Sequence, residues 1–178
     1  MRATARLVLL LALLLGLQGM QPASAAELPP NLVTISPRLM TSGQPSAAWL
    51  ETLKAQGFEA VVYLAPASVP DALREEPQIV AAQGLAFHHL PIPFGQPRAA
   101  DYEAFARLMQ TLAGRKVLVH CQVNMRASSL VFLYRVLVKR VPPEQAYEAV
   151  ARVWSPDGPW KRLMVEELRR HGVAFDPF

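Results

Sequence analysis

The sequence predicts an α/β sandwich, with a mainly parallel central sheet flanked by helices. Three observations point to it. Apolar stretches of strand length alternate with amphipathic stretches of helix length along most of the chain, the pattern of strand–helix–strand units. Residues 58–64 (FEAVVYL) and 116–120 (KVLVH) are mostly apolar runs without strict alternation, as in strands covered on both faces. The chain has 178 residues, 52% apolar and 18% charged, which suits one domain whose core needs no cross-links.

The elements follow in order. Residues 32–35 and 39–42 read as short strands about the Ser36-Pro37 turn. Ser46 is placed to cap a helix over 47–56 that Gly57 closes. The 58–64 strand leads into a loop, 65–70, and then a helix around 71–83, interrupted or restarted at Pro77 and ended by Gly84. Residues 85–92 form a strand whose adjacent His88 and His89 point to opposite faces, so at most one can face a site. Pro91, Pro93 and Pro97 stiffen the next loop, before a helix over 101–112 ended by Gly114. After the 116–120 strand, residues 121–126 form a loop without glycine or proline. Residues 127–138 (ASSLVFLYRVLV) are apolar on nearly every face, which predicts a buried helix. Pro142-Pro143 opens a helix over 144–153, and Asp157-Gly158-Pro159 is a turn. Residues 160–171 form a last amphipathic helix, on which Glu166, Glu167, Arg169 and Arg170 predict a solvated, charge-paired face.

Residues 1–26 read as a secretory signal peptide ahead of a single domain over 27–178. Arg2 and Arg6 give a basic start, 7–17 is an apolar run, and Ala23-Ser24-Ala25 supplies small residues for cleavage after Ala25 or Ala26. The apolar run is eleven residues long, against the ~20 that span a bilayer. No cysteine follows it to carry a lipid. The expectation is a periplasmic or secreted protein with no stable membrane span after cleavage. Removing the two arginines from 18 basic residues leaves 16 against 14 acidic ones, a net charge of +2. With no basic run and no interleaved aromatics, nucleic acid is not an expected partner. The single cysteine, Cys121, excludes an internal disulfide and a zinc site of several cysteines. The four histidines lack ligand spacing, so neither a metal nor a cofactor is expected.

The chemistry lies in VLVHCQVNMRASSLVFLYRV. Cys121 sits just past a buried strand and just before a buried helix, the junction where α/β sheets bind ligands. Gln122, Val123, Asn124 and Met125 can turn their backbone N–H groups inward as an anion nest. The following helix aims its positive end at the same place. Those donors favour a thiolate, and the Arg126 fork can hold two oxygens of a phosphate. The combination suits phosphoryl transfer, with a phosphorylated protein or small molecule as substrate. The plainer alternative is a small, buried, inert cysteine. His120 either bonds the loop backbone and supports the thiolate or satisfies a core position. Phe94 either lines the pocket or staples its loop, while Trp49, Trp154 and Trp160 are expected to pack helices.

His120-Cys121 followed by Arg126 resembles the signature of cysteine-based protein tyrosine and dual-specificity phosphatases. The segment ISPRLMTSGQP (residues 35–45), then a helix, then GFEAVVYL (57–64), resembles the start of the bacterial beta-lactamase-hydrolase-like, phosphatase-like family. The likeness covers residues 33–134. It implies a tyrosine-phosphatase-like three-layer sandwich and a phosphocysteine mechanism. In that mechanism Cys121 attacks phosphorus, Arg126 holds the equatorial oxygens, and water then hydrolyses the intermediate.

Several departures stand out. Four residues rather than the usual five separate Cys121 from Arg126, a spacing that also resembles rhodanese sulfurtransferases. Asn124 replaces the loop glycine and tolerates a left-handed backbone. Ala127 stands where a hydroxyl usually follows the arginine, with Ser128 one position late. The loop expected to carry the proton donor, 91–100, contains no acid. Asp101 at its end is the candidate acid, and a helix-dipole role is the alternative for it; Asp71 is the next candidate. The competing functions are a non-catalytic module that binds phosphate-bearing ligands and a sulfurtransferase carrying a persulfide on Cys121.

Overall fold

The computed structural model describes residues 26–176. The signal-peptide expectation over 1–26 therefore lies outside the described residues but for Ala26.

A five-stranded sheet is built from β1 (Val33–Ser36), β2 (Leu39–Ser42), β3 (Ala60–Tyr63), β4 (Ala86–His89) and β5 (Val117–His120), in the order β1-β2-β5-β3-β4. Only the β1–β2 pair is antiparallel. One face carries α1 (Ala47–Leu50) and α2 (Glu76–Ala82), where Trp49, Leu50, Leu53 and Val80 bury Val61 and Leu118. The other face carries α3 (Ala99–Thr111), α4 (Met125–Leu137), α5 (Pro143–Ala151) and α6 (Gly158–Arg170). There Phe105, Leu130, Leu133 and Trp160 close over Ala60, Val62, Val117 and Val119. Successive strand residues feed opposite cores, which is why β3 and β5 are apolar at every position but the last. The result is the three-layer, mainly parallel sandwich expected.

Some boundaries differ. Ser46 caps α1 as expected, its hydroxyl accepting from Trp49 N at 3.2 Å, but the helix stops at Leu50 and turns carry the chain to Gly57 at φ +80°. The helix expected around 71–83 begins only at Glu76, with Pro77 in its first turn. Helix α4 starts at Met125 rather than at residue 127, which draws Arg126 into its first turn. The solvated face expected on α6 needs correction at Glu167, which is 1% exposed and accepts a hydrogen bond from Arg170.

Candidate active site

The β5 register sets the geometry. His120 pairs with Ser42 of β2 and with Tyr63 of β3, so three parallel strands end at one level and their loops converge there. Cys121 is the next residue. Its N–H still donates to Ser42 O at 3.2 Å, and its side chain is fully buried.

Beyond it the chain is held from outside. The Gln122 carbonyl accepts from Gln44 N at 2.8 Å, and the Val123 carbonyl accepts from Asn31 Nδ2 at 3.0 Å. A peptide's C=O and N–H point opposite ways, so anchoring the Gln122 carbonyl turns the Val123 N–H to the other side of the loop. Asn124 takes the left-handed backbone expected of it, φ +70°, and is fully buried. Its Nδ2 donates to Asn31 O at 2.6 Å and to Thr41 Oγ1 at 3.0 Å. Among the described residues, the backbone N–H groups of Gln122, Val123, Met125, Arg126 and Ala127 donate to no protein acceptor. A run of N–H groups without a protein acceptor, at the N-terminus of a helix whose first turn carries no acid, is an arrangement that favours an anion.

The Ser42-Gly43-Gln44-Pro45 segment is the outer brace of this loop. Gly43 N donates to Pro30 O at 2.6 Å while Gln44 N holds the Gln122 carbonyl. A Cβ on Gly43 would stand 2.6 Å from Gln122 O and 2.9 Å from Pro30 Cβ, so the approach requires glycine.

Arg126 is 3% exposed and pre-oriented. Its Nε donates to Ile92 O at 2.9 Å, its Nη1 reaches Gln122 Oε1 at 3.4 Å, and its guanidinium carbon lies 5.1 Å from the Phe94 ring centroid. Phe94 is itself fixed by Trp160 Nε1, which donates to its carbonyl at 2.8 Å. It therefore both lines the site and ties the loop to α6.

His120 is a fully buried member of a polar column. Its Nε2 meets Glu76 Oε1 at 2.6 Å, and Glu76 Oε2 accepts from Gln44 Nε2 at 2.8 Å. The Tyr63 ring stacks between His120 (4.8 Å) and His89 (5.0 Å), and His89 Nε2 pairs with Ala65 O at 2.8 Å. The Tyr63 phenol is pushed up to about 12, first by burial, then by the charges of Glu76, Asp71 and Cys121, with Arg126 opposing. It remains a neutral hydroxyl among these groups. His88 lies on the opposite face, its pKa lowered by burial and then by Arg115. The sequence reading missed Glu76, Tyr63 and Gln44. Glu76 is 44 positions from His120 and reads as an ordinary first-turn acid.

The remaining candidates fall outside this cluster or at its edge. The Ser128 hydroxyl donates to Met125 O at 3.2 Å, the usual back-bond of a helical serine. Asp101 engages Arg98 with both oxygens: Oδ2 accepts from Arg98 N at 2.8 Å, and Oδ1 accepts from Nη2 at 2.9 Å, so that the Asp101 carboxylate caps the start of α3. Asp71, by contrast, accepts from Gln122 Nε2 at 2.8 Å and so touches the loop that follows Cys121. Among the described residues no group of three or more His, Cys, Asp or Glu is placed to hold a metal, and no helix is long and apolar enough to cross a membrane.

A mainly parallel sheet that delivers a cysteine into a loop of backbone N–H groups without protein acceptors, with an arginine in the first turn of the next helix, is the architecture of the tyrosine- and dual-specificity-phosphatase-like class. Within that class the chain belongs to the family described as "DSP-PTPase phosphatase fused to NAD+ Kinase", which it matches over residues 32–158. It is 31% identical over 154 residues to the beta-lactamase hydrolase-like protein of Xylella fastidiosa (strain Temecula1), an alignment covering 83% of this chain and 35% of that protein. The chain thus spans about a third of the length of this curated relative. Among solved structures, a DUF442 phosphatase of Shewanella putrefaciens CN-32 superposes with a TM-score of 0.73 at 29% identity, covering 80% of this chain and 93% of that one. Tk-PTP in its active form shares the fold, with a TM-score of 0.62 at 24% identity over 80% of this chain and 96% of that one.

Proposed function

We propose that this is an exported phosphatase that hydrolyses phosphomonoesters, protein phosphotyrosine among the candidates, through a phosphocysteine intermediate on Cys121. One observation carries the reading: the run of backbone N–H groups without protein acceptors between Gln122 and Ala127, wrapped around a buried thiol. Three non-bridging phosphoryl oxygens need such donors, and the charge that spreads over them during transfer is what pre-oriented donors stabilise. Arg126, held through Nε, directs its Nη edge to two of those oxygens. The His120–Glu76 pair, with the Tyr63 ring stacked on His120, braces the strand end that carries the sulfur. The exposed Phe94 and Val123 form an apolar rim suited to an aromatic leaving group. Export rests on the basic start and apolar run of residues 1–26. N-terminal sequencing of the protein recovered from a periplasmic fraction is expected to begin at Ala26 or Glu27.

The test is hydrolysis of para-nitrophenyl phosphate by wild type, Cys121→Ser and Arg126→Ala. Both variants are expected to lose activity, and unchanged turnover in Cys121→Ser removes the covalent mechanism. A second reading, a module that binds phosphate-bearing ligands without turnover, draws on the engagement of Asp101 with Arg98 and on the absence of an acid from the sequence of 91–100. It predicts saturable orthophosphate binding together with no hydrolysis by wild type.

A further inference from the structure

Hydrolysis of an unactivated phosphate ester needs a proton for the leaving oxygen. We infer that Asp71, on the loop between β3 and α2, is the residue that supplies it, in contact with the anion-binding loop through Gln122. This rests on the phosphatase reading above and adds the identity of its acid.

Two aspartates compete. Both oxygens of Asp101 are occupied by Arg98, whose N, Nε and Nη2 all lie within 3.3 Å, and its side chain is 11% exposed. Freeing that carboxyl would undo the N-terminus of α3. Asp71 is exposed, and among the described residues a single hydrogen bond holds it, from Gln122 Nε2 to Oδ1 at 2.8 Å. The same Gln122 side chain accepts from Arg126 Nη1 at 3.4 Å, so one amide spans from the phosphate clamp to the Asp71 carboxyl. The Tyr63 hydroxyl, buried and without a hydrogen-bond partner among the described residues, feels the charges of Glu76, Asp71, Cys121 and Arg126 together. Asp71 therefore stands beside the loop that follows Cys121, and among the described residues its Oδ2 accepts no hydrogen bond.

The step balances. The Cys121 thiolate forms the S–P bond, the bond from phosphorus to the ester oxygen breaks, and the Asp71 carboxyl proton passes to that oxygen, releasing the alcohol or phenol. Water then attacks phosphorus as the Asp71 carboxylate takes its proton. The S–P bond breaks, and the thiolate and inorganic phosphate are released.

The experiment compares phenyl phosphate, a poor leaving group, with 2,4-dinitrophenyl phosphate, which departs without a proton. It uses wild type, Asp71→Asn, Asp101→Asn and Cys121→Ser, with thermal melting as the fold control. Asp71→Asn is expected to lose about 10²-fold in kcat/KM on phenyl phosphate and to keep a kcat/KM close to wild type on the dinitrophenyl ester, because kcat/KM reports the ester-cleavage step and not the later hydrolysis of phosphocysteine, with an unchanged melting temperature. Asp101→Asn is expected to melt earlier and to lose the same factor on both esters. Equal losses of kcat/KM on both esters in Asp71→Asn, or leaving-group selectivity of kcat/KM in Asp101→Asn instead, overturn the assignment while leaving the covalent mechanism intact. Activity retained in Cys121→Ser, or a wild type inactive on both esters, overturns the phosphatase reading itself.

Discussion

Gly43→Ala tests whether the segment before α1 braces the loop that follows Cys121. The added Cβ would lie 2.6 Å from the Gln122 carbonyl oxygen and 2.9 Å from Pro30 Cβ. Ordinary contact begins at about 3.5 Å, so backbone on one side must yield by roughly 1 Å. The obstructing atom is a main-chain oxygen, with no flexible end to swing aside. Moving it tilts the peptide whose N–H, on Val123, is one of the donors that the phosphatase proposal assigns to the phosphoryl group. Overpacking of this kind costs about 1–3 kcal/mol, and each kcal/mol lowers the melting temperature of a domain this size by about 2–4 °C. A displacement of about 1 Å in a positioning group costs on the order of 10²-fold in rate. The assay is kcat/KM on para-nitrophenyl phosphate beside a thermal melt. Gly95→Ala serves as control, since a Cβ there meets nothing within 4 Å, and it should leave the melt unchanged. A Gly43→Ala protein with wild-type kcat/KM would refute the bracing argument.

Three further outcomes are expected. Glu76→Ala strands the buried His120 Nε2 and the Gln44 amide and should cost about 3 kcal/mol, while Glu76→Gln, which keeps a polar group in place, should melt closer to wild type; equal melts for the two would show that the pair contributes nothing. Asn124→Ala loses the ties to Asn31 and Thr41 and keeps a left-handed residue with a Cβ, so it should lose about 2 kcal/mol in urea unfolding, more than Asn124→Gly. Tyr63 and Tyr102, both held near 12 mainly by burial, ionise more readily when unfolded, so their stabilisation is complete below about pH 10 and is lost as pH rises through about 12. Phenolate absorbance should show this late titration, and Tyr63→Phe with Tyr102→Phe should flatten the fall in melting temperature over that window.

The parts of the site written within one stretch of chain were legible beforehand. Cys121, Asn124 in a left-handed turn and Arg126 all lie within six consecutive residues, where local chemistry fixes backbone geometry. The sandwich was equally legible, because doubly covered strands such as β3 and β5 have no polar face. The partners that hold the site came from elsewhere. Glu76 reaches His120 across 44 positions and Asn31 reaches Val123 across 92, and nothing near Glu76 distinguishes it from a dipole acid. The early start of α4 was hidden because Met125 and Arg126 looked like loop beside an apolar helix. The short α1 was hidden because turns over 51–57 keep a helix-like spacing of Leu50 and Leu53 in the core. Motif position alone placed Asp101 ahead of Asp71, since the Asp71–Gln122 contact appears only once the loops after β3 and β5 meet at the C-terminal ends of the strands.

The most direct measurement is rapid acid quench of wild type during turnover of para-nitrophenyl phosphate, followed by intact-mass and peptide mass spectrometry. The expected result is one phosphoryl group on Cys121, absent from Cys121→Ser and accompanied by a burst of nitrophenol. Steady turnover with no adduct on Cys121, or the same adduct in Cys121→Ser, would contradict a phosphocysteine mechanism.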